Sequence, residues 1–352
     1  MKILFIDLTT SLESFQDLEN KGRGGMVSSL YILPNVLSQL GHECYVMSDA
    51  KSCGETINGV RWINESQYDW LDKQSFDFMV LNRQLYGDAF SWIKSKHRVL
   101  WVHDMVHGGW ITKPEIAKML SATVFMSQYS VETWKAYYKT IGRHFVIPNG
   151  VDKELFKPLN KTTTSMIYFS APNRGLEYLP MIFHSVKEKI PDVSCIAFSN
   201  MKSLHPNESG ESDKFEWIYQ LVRDSGIVLH DVIDQKSLST FIGASGLMIK
   251  PSDYAETCSN STLQSLSCGT PVITSKVGAD KEWVQDKYNG RICDHILNDG
   301  PLFILEMCRA IIDTLSNDRE HERMIKNAPK TKNLFTWQEI GEKWNRMLNR
   351  VY

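Results

Sequence analysis

The sequence has 352 residues, 42% of them hydrophobic and 23% charged, with a formal net charge of −2. That composition excludes a disordered or membrane-embedded chain, and the near-neutral balance offers no basic field for a nucleic-acid partner. The length fits two domains of roughly 150–180 residues. Seven cysteines without a CxxC pair argue against a zinc site or disulfide framework and for reduced thiols.

The first apolar run, Ile3 to Ile6, stops at Asp7, too short for a leader or a membrane span. The expectation is a cytoplasmic protein, with peripheral contact to a membrane surface left open. Runs at 2–8, 44–49, 77–82, 98–104, 122–127 and 144–149 read as buried parallel strands. Between the first two, Met26–Leu40 carries apolar residues at helical spacing, and Pro34 inside it predicts a kink or a restart. Strand–helix alternation of this kind calls for right-handed βαβ units. The turn formers Pro148 to Asp152 and the polar stretch Pro158–Ser165 mark a boundary. Beyond it the plan repeats, with strands at 165–171, 193–200, 226–231, 246–252 and 271–276. Helices are expected at about 177–189, 212–224, 236–244, 260–267 and 300–316. Thr336 with Glu339 forms a capping box for a last helix. The predicted organisation is two doubly wound α/β domains, 1–150 and 151–334, facing across a cleft. Residues 335–352 are expected to form a helix that packs back towards the first domain. Ligands gather at the carboxyl ends of the strands in such sheets.

Four segments there carry candidate chemistry. Gly22, Gly24 and Gly25 precede the first helix, where free N–H groups suit a phosphate or a sugar, or make a simple turn. His103 and His107 share the spacing of an HExxH zinc site, but glycines follow and no third ligand is in view. His103 at a strand end can instead hydrogen-bond a hydroxyl or stabilise developing charge, or be a structural histidine. Asn173 and Arg174, between Pro172 and Gly175, place a guanidinium where it can clamp phosphate oxygens. Glu256 stands before a short helix capped by Ser259 or Asn260 and stopped by Gly269. The N–H groups of Thr257, Cys258, Ser259, Asn260 and Ser261 suit a diphosphate there. Glu256 can then accept from hydroxyls of the same ligand, and Gln264 lies about one turn into the helix. An acid beside an anion site points to a nucleotide-sugar.

The run Pro251-Ser252, Glu256, Ser267-Cys268-Gly269-Thr270-Pro271-Val272-Ile273, then Gly278, Glu282 and Asn289-Gly290, resembles the donor-binding signature of GT-B glycosyltransferases, in particular the retaining family 4. Gly24-Gly25, Gly41-His42-Glu43, Ile147 to Asp152 and Asn173-Arg174-Gly175-Leu176 agree in order and spacing, so the resemblance spans essentially the whole chain. It implies transfer of a sugar from a nucleotide-diphosphate-sugar, of UDP or GDP type, to a glycan or lipid-linked acceptor with retention. No cofactor and no metal are expected, in keeping with the lack of a D-x-D triplet. The resemblance assigns Glu256 to the donor sugar and Arg174 with the amides near Cys258–Asn260 to the diphosphate. Gly24 and Gly25 would approach the diphosphate from the first domain, and His103 would line the acceptor side. Two departures stand out: Gln264 replaces the second acid of the E-x7-E pattern, and no Lys follows Arg174 at short offset to supply the usual second cation. An amide still accepts from a ribose hydroxyl, at ~1 kcal/mol against ~1.5–3 for a charged acceptor. Other readings are a further GT-B sugar-nucleotide enzyme, such as an epimerase, or a catalytically degenerate binding subunit. Lys94–Arg98 and Trp134–Lys139 mix basic and aromatic residues in a manner that suits a membrane surface, a glycan or a solvated helix face.

Overall fold

The structure, a computed structural model, describes residues 1–8, 25–48, 56–64, 67–86, 89–106, 118–138, 142–201, 212–294 and 300–352. They fall into two compact units, one built from the described residues up to Gly150 together with Phe335–Tyr352, the other from Val151–Leu334.

The first unit is an eight-stranded sheet. Its strands are β1 (Lys2–Asp7), β2 (Glu43–Ser48), β3 (Thr56–Ile57), β4 (Val60–Ile63), β5 (Ser75–Asn82), β6 (Lys94–Val102), β7 (Ala122–Phe125) and β8 (His144–Val146). The order is β3-β4-β2-β1-β5-β6-β7-β8, parallel throughout except for the β3–β4 pair. The strand order reverses between β1 and β5, so Asp7 and Asn82 finish neighbouring strands at the switch point.

Helix α1 (Gly25–Gln39) runs through Pro34 as one element, so no new helix starts there. Proline forfeits one backbone bond, but burial of Leu30, Leu33 and Leu37 holds the helix. The last helix, here α2 (Trp337–Val351), packs on α1 within this unit. Gly341 makes that possible: a Cβ there would lie 2.3 Å from Cγ1 of Val36. Trp344 sits 5.2 Å from the Trp101 ring, and Thr336 and Glu339 close both halves of the capping box.

Lys94–Arg98 is corrected from a helix face to the start of β6. Exposure alternates along it, which is strand periodicity. Lys96 pairs with Asp77 at 2.8 Å, and His97 stacks on Phe78. Trp134, in the helix Gln128–Tyr137, is buried against Phe125 and is not offered to a surface, whereas Tyr137 is exposed. Lys139 lies outside the described residues.

The second unit is a six-stranded parallel sheet. Its strands are β9 (Thr162–Phe169), β10 (Ser194–Phe198), β11 (Val228–His230), β12 (Ser245–Lys250), β13 (Val272–Ser275) and β14 (Gly290–Cys293). They are ordered β11-β10-β9-β12-β13-β14, with every pair parallel. Here the reversal falls between β9 and β12. Helices Leu179–Lys189, Ser212–Asp224 and Gly300–Leu315 bury Ile182, Phe183, Val222, Met307 and Ile311 in one core with Tyr168 and Ile249 of the sheet. Helix Asp318–Asn327 was not foreseen: only His321 and Met324 of its ten residues are buried, too few for an apolar stripe. Among the described residues no helix is long and apolar enough to cross a membrane.

Candidate functional site

In the second unit, the loops that leave β9 and β12 adjoin because those strands pair in parallel at the switch point. Two glycines let the loops close to contact. Gly175, with φ +90°, has no room for a side chain: a Cβ would stand 1.9 Å from the carbonyl oxygen of Pro251. Gly278, with φ +74°, lies against Glu256, where a Cβ would be 2.7 Å from the backbone nitrogen. The neighbouring Ala279 N–H donates to the Glu256 carbonyl at 2.9 Å. The Glu256 backbone is thus gripped by the turn after β13, and the Arg174 loop rests on the turn after β12.

Between these loops lies a cluster of charges. The Lys250 ammonium, at the end of β12, is 2.6 Å from Oε2 of Glu256 and 2.7 Å from Oδ2 of Asp280. Its side chain is 1% exposed, that of Asp280 4% and that of Glu256 24%, so Glu256 alone of the three reaches the surface. Asp280 also accepts from Thr262 Oγ1 at 2.9 Å and Thr274 Oγ1 at 3.2 Å. Arg174 reaches Oε1 of Glu256 at 3.5 Å and lays its guanidinium 3.4 Å from the centre of the Tyr254 ring. Burial pushes the Glu256 carboxyl up, but Lys250 and then Arg174 outweigh it and hold the group below the usual range. Burial likewise disfavours the Lys250 ammonium, and Asp280 and Glu256 reverse the effect, leaving its pKa raised.

Glu256 thus already neutralises two cations. Lys250 is the residue that sequence reasoning missed. The resemblance places a second cation just after Arg174, whereas Lys250 ends a strand that otherwise reads as buried. A lysine closing such a strand was the available signal.

Ser259 is the N-cap of the helix α3 (Asn260–Ser267), accepting from the Thr262 N–H, and Cys268 and Gly269 end it. Thr257 and Ser259 are buried, Cys258 and Asn260 half-buried, and Asn173 exposed. Gln264 is also half-buried, and its amide nitrogen donates to Oε1 of Gln235 at 3.0 Å. Gln235 opens the helix Gln235–Ala244, so position 264 is held by a residue 29 places away. Asn289 fastens the fold, donating to the Trp283 carbonyl and to Thr331 and accepting from the Gln285 N–H.

The switch point of the first unit holds a second polar cluster. Asp7 is fully buried and accepts from Asn82 Nδ2 at 2.6 Å. Arg83 Nε donates to Asp104 at 2.6 Å, and the Tyr86 hydroxyl accepts from the Leu8 N–H at 3.0 Å. Arg83 and Tyr86 have φ of +64° and +53°, the left-handed region that non-glycine residues rarely occupy. His103 leaves β6 beside them, its ring 4.3 Å from that of Trp101. Burial lowers its pKa to about 4, so the imidazole is neutral near pH 7 and offers hydrogen bonds, not positive charge. Asp7, Asn82, Arg83 and Asp104 were not singled out in the sequence, although polar residues closing buried strands mark them. Gly24 and His107 lie outside the described residues, and Gly25 opens α1. Among the described residues, no three His, Cys, Asp or Glu side chains gather as they would around a metal ion.

Residues 152–331 match the family model of glycosyl transferases group 1. Among curated proteins, no sequence matches the chain. Solved structures with the same fold include sucrose-phosphate synthase (tll1590) from Thermosynechococcus elongatus, with TM-score 0.75, 16% identity, and 99% and 98% of the two chains covered. Anabaena Alr3699/HepE in complex with UDP-glucose aligns with TM-score 0.74 and 18% identity over 99% of this chain and 100% of that one. WaaG, a glycosyltransferase involved in lipopolysaccharide biosynthesis, aligns with TM-score 0.70 and 13% identity over 98% and 99%. At these identities the likeness defines the fold, which is GT-B.

Proposed function

Since the chain belongs to the group 1 glycosyl transferases and is thus a glycosyltransferase, we propose that it moves a sugar from a nucleotide-diphosphate donor to a hydroxyl of a glycan or lipid-linked acceptor, with retention and without a metal ion. The observation that carries this reading is the Glu256 carboxyl group set beside Arg174 and the N-terminus of α3. A carboxylate accepts from sugar hydroxyls, while a guanidinium and free N–H groups suit a diphosphate. In the reaction the anomeric C–O bond to the diphosphate breaks and a bond to the acceptor oxygen forms. The acceptor's proton passes to the departing phosphate. Negative charge grows on the diphosphate, where Arg174 and the amides of Thr257 to Asn260 favour it. Gly24 and Gly25 are assigned to the diphosphate as well. His103, neutral, hydrogen-bonds a sugar or acceptor hydroxyl on the side of the first unit.

A UDP-type donor is favoured over GDP because HepE was solved with UDP-glucose; Gln264 would take the ribose hydroxyls in place of the expected acid. Domain 1–150 would serve the acceptor and 151–334 the donor. The test is a thermal-shift screen with UDP, GDP and ADP and their glucose conjugates, followed by transfer or hydrolysis of the labelled donor that binds. A bound donor raises the melting temperature by mass action. No shift with any donor at millimolar concentration overturns the proposal.

A further inference from the structure

Lys250 is hard to explain as a stabilising residue. An ammonium buried to 1% exposure must be compensated, and replacing a buried ion pair by apolar groups is often neutral or stabilising. Residues 246–249 of the same strand, Gly-Leu-Met-Ile, are buried and lack side-chain charge. A methionine at 250 would complete that pattern.

The geometry around Lys250 is graded. Asp280 is fixed by Lys250 and two threonine hydroxyls. Lys250 is fixed by Asp280. Glu256 hangs from Lys250 at 2.6 Å and is the member that reaches solvent. Arg174 is held more loosely, at 3.5 Å, and already leans on Tyr254. An anion arriving at Arg174 and the α3 N-terminus would draw Arg174 away and set its own negative charge near Glu256. Deprived of one counter-charge and given a like charge, a carboxylate takes up a proton unless another cation stays with it.

We propose that Lys250, anchored by Asp280, is a positioning residue for donor recognition: it keeps Glu256 ionised and aimed at the donor sugar when Arg174 turns to the diphosphate. The inference rests on the donor-site reading above. Lys250 thus supplies a second cation from the end of β12, acting through Glu256 rather than on the ligand. The groups facing Glu256 are Lys250 from β12, Arg174 from the loop after β9 and the Ser259 hydroxyl from the cap of α3. Asp280, from the turn after β13, acts through Lys250, and the buried Tyr168 of β9 stays neutral, its phenol pushed up by burial.

The test compares wild type, K250M, K250M/D280N and E256Q in titrations with UDP, UDP-glucose, GDP and GDP-glucose between pH 4 and pH 9. The double variant leaves no buried charge without a partner, so it folds even where K250M does not. The readout is how many-fold more tightly the nucleotide-sugar binds than the bare nucleotide. In the double variant that ratio falls on the order of tenfold, the worth of a charged hydrogen bond. The acid limb of nucleotide-sugar binding also moves to higher pH by about one unit, as Glu256 loses its remaining cation. E256Q loses the ratio as well and has no acid limb. A folded double variant with the wild-type ratio and acid limb overturns the inference and leaves the donor site standing. Wild type that binds no nucleotide-sugar overturns the donor-site reading, and this inference with it.

Discussion

The two sheets carry polar clusters at equivalent places, and the clusters are built on opposite plans. In the second unit, glycines take the unusual backbone: Gly175 and Gly278 bring the loops within contact and leave the side chains unstrained. The charges there are paired in a chain from Asp280 through Lys250 to Glu256 and Arg174. In the first unit the left-handed conformations fall on Arg83 and Tyr86, and the nearby His103 is kept neutral by burial. One site invests in tight approach and charge balance, the other in backbone strain and neutral hydrogen bonding. That contrast fits one site suited to a fixed diphosphate and another suited to hydroxyls.

The sharpest way to break the comparison is at its glycines. Gly175→Ala should destabilise by about 3–4 kcal/mol, since strain at positive φ adds to a collision with backbone. Gly226→Ala has φ +82° but nothing within 4 Å, and should lose only about 1 kcal/mol. Urea unfolding of the two variants decides whether close approach or backbone conformation matters more.

The next effect is a pH dependence in the first unit. The folded pKa of His103, about 4, lies below its ordinary value near 6.5, so the fold favours the neutral form. That contribution is complete above about pH 6.5 and is lost as the pH falls through 4, for a total of about 3 kcal/mol. Glu256, whose pKa is also depressed, loses its contribution in the same direction, below the ordinary carboxylate range. Acid unfolding followed for wild type and His103→Asn should show the variant less sensitive between pH 6.5 and 4. Equal sensitivity would remove His103 from the account.

On the proposed donor reading, Glu256→Gln should lower kcat/KM by roughly 10²-fold, because a charge-assisted contact to the sugar would be lost. The melting temperature should fall as well, by the ionic contribution that Glu256 otherwise loses only in acid, although Lys250 keeps Asp280. The smallest effect concerns position 264. Gln264→Glu should tighten nucleotide binding by about 1 kcal/mol, because Gln235 can turn its amide to donate to the new carboxylate. Calorimetric titration with the preferred nucleotide measures it.

The alternation of strands and helices was legible because buried parallel strands leave unbroken apolar runs, and Ser259 and Gly269 bracket α3 as cap and stop residues do. The residues around Glu256 could be found because glycine and proline punctuate the loops at strand ends. What the sequence hid was long-range pairing. Nothing local ties Lys250 to Asp280, thirty positions on, or Gln264 to Gln235. The charged helix Asp318–Asn327 escaped because its two buried residues make no stripe. At Pro34 packing carries the helix across a residue where local rules allow a kink or a restart.

The return of α2 to the first unit also bears on how the chain is made. Phe5, Trp101 and Trp344 meet in one aromatic cluster, and Lys96 bonds the Tyr352 hydroxyl across 256 positions. On the ribosome the Val151–Leu334 stretch of the second unit emerges whole before α2 does. The half of the protein translated first is therefore the half completed last. Until α2 arrives, the Val36 face of α1 has no Gly341 to receive it, and a nascent chain stalled within the second unit would expose that apolar face to chaperones.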